Sequence, residues 1–303
     1  MGLLIGFSTI IAVIACGSAL AHAGVLDQRS QRTLAEIAFF VASPALMVTT
    51  ISKVEVSGAV SNLAASAGAL GTCFLLYALV ARLRWRVDAA TVLIGSLSSS
   101  YVNAGNLGLA IAAYVVGDIT VVVPTLLVQM LAVQPVALAV LDRVTGRGQG
   151  AGAALRRLVT NPLTVGALLG VVLAVTGWEL PTLVASPLEL LAGAAIPLML
   201  LSYGAALRLS PRIGRAGHNR EVLLVSVLKL AVMPVVAWGL GVALDLDGRV
   251  LLGVVITAAL PTAQNIFLHA TRYRVGEDVS REAILVTTLC SLPVALIVAL
   301  LLG

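Results

Sequence analysis

A chain of 303 residues in which 59% are hydrophobic and only 11% are charged has too little polar surface to coat a soluble globule, whose usual charged share is about 25%. The net charge of +5 invites a nucleic-acid reading, but the basic residues are scattered through short loops between apolar runs rather than gathered on one face or among aromatics, which excludes it. Cys16, Cys73 and Cys290 fall inside apolar runs with no paired spacing, so neither a disulfide frame, a metal site nor any cofactor is expected.

Apolar segments long enough to cross a hydrocarbon core of roughly 30 Å recur about ten times, at 2–24, 33–52, 58–81, 89–117, 119–141, 162–178, 187–208, 221–244, 249–272 and 281–302. The chain is therefore expected to be an all-α integral membrane protein of about ten transmembrane helices, with the lipid bilayer as its first partner. The first run lacks a basic leader and is followed by further spans, so it reads as a retained helix rather than a cleaved signal. The stretch Thr145–Gly152 is polar and glycine-rich and falls near the middle. It divides the chain into a first five-helix repeat at 1–142, a cytoplasmic linker at 143–160 and a second repeat at 161–303.

Orientation follows from the basic residues. With the N-terminus outside, every Lys and Arg lies in an inside loop except Lys53 and Arg249, which lie outside, and Lys229, which lies within the eighth span. The positive-inside rule then places both termini outside the cytoplasm, in the cytoplasmic (inner) membrane.

Two spans are interrupted. In the fourth, Tyr101-Val102-Asn103-Ala104-Gly105-Asn106 sets two amides and a glycine inside an apolar run; in the ninth, Leu260-Pro261-Thr262-Ala263-Gln264-Asn265 adds a proline. Proline removes a backbone donor and clashes with the preceding turn, so a helix broken there exposes unpaired backbone groups at membrane depth. Such exposure is tolerated where it is buried in protein or lines a polar cavity, and in transporters it marks the binding site.

The two halves repeat one another. Glu36 to Pro44 returns as Glu189 to Pro197 at an offset of 153. Asn106 with Gly117-Asp118 matches Asn265 with Gly276-Glu277 at an offset of 159, and Pro135-Val136-Ala137-Leu138 reappears as Pro293-Val294-Ala295-Leu296 at an offset of 158. Five spans per repeat is an odd number, so the second copy inserts inverted, with broken helices 4 and 9 facing each other near the midplane.

Among the remaining polar residues, Lys229 is the one charge deep in a span, eight residues after Glu221 and so about 12 Å along the helix. A charge there is costly and by default marks function. Its ammonium would attract an organic anion, or would stand where coupled relatives bind a cation and tie the transport domain together. Burial without a fixed counter-charge would also suit it to carrying a proton. Gln129 and Gln134 in the fifth span are five apart, near one face but not in strict register. They either line the cavity or join helices by hydrogen bonds. Ser98, Ser99 and Ser100 precede the first break and suit satisfying its freed backbone groups.

Taken with Asn103-Ala104-Gly105-Asn106-Leu107-Gly108 and Leu260 to Asn265, the elements Ala195-Ile196-Pro197-Leu198, Asn161-Pro162 and Thr287-Thr288-Leu289 resemble the auxin efflux carrier family, over essentially the whole chain. That family includes the plant PIN-type carriers and many bacterial permeases for organic acids. The resemblance implies the ten-helix fold shared with bile acid:sodium symporters. Spans one, two, six and seven would form a scaffold, and three to five with eight to ten a transport domain that moves elevator fashion, with helices 4 and 9 crossing at their breaks. The sequence departs from sodium-coupled members in having no carboxylate beside Gln264-Asn265, where such a symporter would carry a Glu to help bind the ion.

The expected function is thus a secondary transporter, an efflux carrier or permease, moving a small organic anion such as an auxin-like or dicarboxylic acid. Asn103, Gly105, Asn106, Pro261, Thr262, Gln264, Asn265, Lys229 and Gln129 are the expected substrate-binding residues, with no catalytic residue and no metal ligand. A sodium-coupled organic anion symporter of the bile acid type is the alternative. An enzyme would need a cluster of nucleophile, base or metal ligands at membrane depth, and the chain has three scattered histidines and no paired mid-span acids. Substrate, coupling ion and direction leave no mark in the chain, and a homodimer is compatible with it.

Overall fold

A computed structural model describes residues 2–53, 59–146, 156, 160–209 and 217–303. Most of the expected linker, together with Arg147, Arg157, Arg212 and Arg215, lies outside those residues. The described chain is helical throughout, and its one β pairing is an isolated antiparallel bridge between Val102 and Thr262.

Among the described residues, seven helices are long and apolar enough to cross a membrane: Ile5–His22, Gln28–Ile51, Val60–Leu83, Ile119–Val144, Thr182–Leu209, Asn219–Ala243 and Glu277–Leu302. The sixth span is the shorter helix Pro162–Thr176. The fourth is divided into Ala89–Ser100 and Ala104–Val116, and the ninth into Gly248–Ala258 and Gln264–Tyr273. The chain is a multi-pass membrane protein.

Short polar residues start these helices by accepting from the first free N–H groups. Asp27 accepts from Ser30, Asp88 from Ala90 and Thr91, Asn161 from Leu163 and Thr164, and Asp247 from Val250. The cap explains why the second span begins at Gln28 rather than at the expected 33. Its first ten residues bury nothing, so apolar patterning does not announce them, yet Asp27 launches the helix. The seventh span likewise starts at Thr182, because Pro187 is accommodated inside the helix. Several spans contain π turns, among them Ala38–Ala42, Ala104–Gly108, Val128–Val133 and Leu228–Val232.

Compactness divides the chain differently from its repeat. One unit comprises Met1–Gly58, Gly105–Val123 and Arg156–Pro211, the other Ala59–Ala104, Pro124–Leu155 and Arg212–Gly303. Each unit thus draws on both halves of the sequence. The first holds spans one, two, six and seven, but it also takes the second half of the fourth, which the resemblance assigns to the transport domain.

Close backbone approach explains that addition. A Cβ at Gly6 would stand 1.9 Å from the Tyr114 carbonyl oxygen, so the first span lies directly against the second half of the fourth. The same device joins the first span to the seventh. A Cβ at Gly17 would meet Leu201 O at 2.2 Å, and one at Gly204 would meet Ile14 O at 1.9 Å. Between apolar helices in lipid, such small-residue contacts supply the packing that the hydrophobic effect does not.

In the second unit, Leu97, Tyr101, Leu138, Leu141, Ile266 and Tyr273 pack into a core with neighbouring alanines. That core joins the first half of the fourth span, the end of the fifth and the second half of the ninth. The Tyr273 hydroxyl closes one end of it by donating to Asp142 at 2.5 Å.

Candidate functional site at the helix crossing

Where the fourth and ninth spans lose their helical bonds, their backbones bond to each other. Asn103 N donates to Pro261 O at 2.8 Å and Ala263 N donates to Tyr101 O at 3.1 Å, which makes the Val102–Thr262 bridge. Proline is compatible with this arrangement because only its carbonyl is used. The crossing is buried: Val102 is 1% exposed and Thr262 is fully buried.

The groups left over at the bridge are then satisfied one by one. The side-chain amide of Gln129 takes both backbone groups of Val102, accepting from its N–H at 2.6 Å and donating to its carbonyl at 3.1 Å. Thr262 N donates to Thr287 Oγ1 at 3.1 Å, and the Thr262 hydroxyl donates to Ser98 O at 2.6 Å. Unpaired backbone groups in hydrocarbon cost several kcal/mol each, so these residues hold the crossing together. The serines satisfy carbonyls within the first half-helix, Ser98 bonding Ile94 O and Ser100 bonding Ser96 O.

Lys229 is fully enclosed. Its Nζ donates to Ser100 O at 3.2 Å and lies 3.1 Å from Met233 Sδ. Ser100 ends the half-helix Ala89–Ser100, whose carbonyl terminus carries partial negative charge, so the ammonium sits at the favourable pole of that dipole. Among the described residues no carboxylate pairs with it. The variant Lys229→Met keeps the stem and removes the donor. A melting temperature at or above that of the parent is expected, because a buried charge that no carboxylate neutralises is lost, together with loss of any anion-induced thermal shift. A variant that kept the shift would show that the crossing does not need this contact.

Asn103 and Asn265 are different in kind from these holding residues. Asn103 is 4% exposed and its Nδ2 has no hydrogen-bond partner among the described residues; the same holds for Asn265 Oδ1. Asn265 lies in the first turn of Gln264–Tyr273, a half-helix whose start no side chain caps. Its amide also lies against the hydroxyl of Tyr101, which donates to Gln134 Oε1 at 3.0 Å. Gln264, beside it, is half-buried. A helix N-terminus beside unpaired amides suits a carboxylate, which can accept from several N–H groups at once.

Of the nine expected residues, Asn103, Gln129, Lys229, Pro261, Thr262, Gln264 and Asn265 belong to the second unit and cluster at or behind this crossing; Gly105 and Asn106 belong to the first unit. Thr287 and Tyr101 were not among the nine. Tyr101 could have been found from its place immediately before the break. Thr287 is one of several hydroxyls in an apolar span, and its role depends on a partner 25 residues away.

The membrane transport protein family matches residues 7–299 of the chain. The chain belongs to this family, the family of the auxin efflux carriers. A member from the archaeon Methanothermobacter thermautotrophicus, described as an uncharacterized transporter, is 28% identical over 293 residues, covering 94% of this chain and 93% of its own. Auxin efflux carrier component 1 of Arabidopsis thaliana is 30% identical over 152 residues, 49% of this chain and 24% of the plant protein. Probable auxin efflux carrier component 1b of Oryza sativa subsp. japonica is also 30% identical over 152 residues, 27% of its own length. The match therefore spans about a quarter of these plant carriers. Members of the membrane transport protein family are transporters rather than enzymes.

Proposed function

We propose that the chain is a secondary carrier of a small organic anion, auxin-like or dicarboxylic, in the cytoplasmic membrane with both termini outside. The anion binds at the crossing in the second unit, and that unit carries it elevator fashion without sodium. One observation carries this reading. The uncapped start of Gln264–Tyr273 and the unpartnered Nδ2 of buried Asn103 belong to a single backbone crossing, so positive helix potential and free donors coincide there. No carboxylate flanks Gln264-Asn265 to hold a hard cation, which favours an anion alone. In this reading Asn103, Gln264 and Asn265 contact the anion, while Gln129, Thr262, Pro261 and Lys229 hold the crossing in shape.

The test is thermal stability of the purified protein in detergent against a panel of organic anions, with sodium present or replaced by choline. A ligand at a hundred times its Kd stabilises the folded state by about 2.7 kcal/mol, which a melting curve resolves. A shift with a carboxylate that does not need sodium and disappears in Asn103→Ala is the expected result. Stabilisation by sodium alone would overturn the uncoupled reading in favour of a symporter.

A further inference from the structure

The two unpartnered atoms at the crossing have opposite polarity, and that difference constrains the ligand. Asn103 Nδ2 is a donor; Asn265 Oδ1 is an acceptor. A carboxylate can satisfy the first but offers nothing to the second. The polarity of Asn265 is set by its neighbours. The Tyr101 hydroxyl gives its one proton to Gln134 Oε1, so its oxygen can only accept from Asn265. An oxygen that can only accept favours Nδ2 of Asn265 on the tyrosine side, in keeping with Oδ1 being the amide atom that is buried without a partner. Tyr101 is 4% exposed and packed in the core of Leu97, Leu138 and Ile266, so this orientation is built into the unit.

We propose that the transported anion carries an O–H or N–H donor besides its carboxylate: a hydroxy acid, an amino acid derivative or an N–H heteroaromatic acid, rather than a plain carboxylic acid. The carboxylate accepts from Asn103 and the half-helix start, and the second group donates to Asn265 Oδ1. This rests on the carrier reading above and deepens it. A site built to receive a ligand hydrogen discriminates strongly against the analogue that lacks it, because its own buried acceptor is then left unpaired. Tyr101 and Gln134 are positioning residues in this scheme, since Tyr101 acts on Asn265 and Gln134 on Tyr101, and neither on the ligand.

Matched pairs differing in that one hydrogen test the proposal on the full-length protein. Suitable probes are lactate against 2-methoxypropanoate, malate against 2-methoxysuccinate, and indole-3-acetate against its 1-methyl derivative, with Kd taken from melting-temperature titrations or calorimetry. In the pairs that bind, the hydrogen-bearing member is expected to bind at least tenfold tighter. In Asn265→Leu that ratio should fall toward one. Tyr101→Phe frees the amide to turn either end outward, so the ratio should fall there too, although Asn265 is intact. Equal affinity within every binding pair, with binding still abolished by Asn103→Ala, would overturn the donor requirement and leave the anion carrier standing. Absence of binding by every probe would overturn the carrier reading and this inference together.

Discussion

Replacing Gln129 with leucine is expected to strip the crossing of its central support while nearly conserving side-chain volume. The amide of Gln129 serves both backbone groups of Val102, and Val102 is 1% exposed, so leucine leaves a buried N–H without a partner and takes one of two donors from a carbonyl that keeps only the Ala104 N–H, at 2.8 Å. The orphaned N–H costs about 1–3 kcal/mol and the lost bond to the carbonyl about 0.5–1.5 kcal/mol, which puts the loss at roughly 1.5–4.5 kcal/mol, a large part of the stability of an ordinary domain. The fall in melting temperature should come with faster amide hydrogen exchange in the peptides covering 101–104 and 261–264. Gln129→Glu separates the two bonds, because a carboxylate can still accept from Val102 N–H but presents no donor to its carbonyl. Unchanged exchange in Gln129→Leu would mean that the Val102–Thr262 bridge stands without the glutamine.

The second large effect is expected at Gly204, where even alanine should be severely destabilising. A Cβ there would lie 1.9 Å from the carbonyl oxygen of Ile14, and backbone cannot rotate aside as a long side chain can. The first and seventh spans would have to separate, forfeiting the contact at Gly17 as well, where a Cβ would come within 2.2 Å of Leu201 O. Gly193 in the same helix is the internal control, since nothing lies within 4 Å of a Cβ placed there. Gly193→Ala should be neutral or gain up to about 1 kcal/mol from helix propensity. The yield of monodisperse protein and the melting temperature in detergent read out both variants. A Gly204→Ala protein as stable as Gly193→Ala would contradict the close approach.

The multi-pass fold was legible because hydrocarbon imposes its pattern locally: apolar runs of the required length mark the spans, and amides or proline inside such a run mark the breaks. What could not be read was pairing between distant segments. Nothing local in Tyr101-Val102-Asn103 says that it bonds Pro261 to Ala263, or that Gln129 lies behind it, because those bonds depend on how the spans pack. The division into compact units escaped for the same reason. Gly6 looks like any glycine in a membrane helix until Tyr114 is found against it. Chemically suggestive residues could be picked out, but the work of each could not be apportioned. Gln129 and Lys229 stood beside Asn103 and Asn265 in the sequence reading, whereas in the fold the first two are occupied by backbone atoms and the latter two keep an open valence.

The π turn at Val128–Val133 bears on how the two glutamines of the fifth span act together. In a regular α-helix, side chains five positions apart diverge by about 140°, so Gln129 and Gln134 would address different neighbours. A π turn closes its hydrogen bonds between residues five apart and brings such positions back toward one azimuth. Gln129 can therefore reach Val102 while Gln134 reaches Tyr101, the adjacent residue of the same segment. The surplus residue in this turn acts as a phase setting rather than as added length. Losing it would rotate the rest of the span by about 100° and turn Gln134 away from Tyr101, with every side chain in the protein still present.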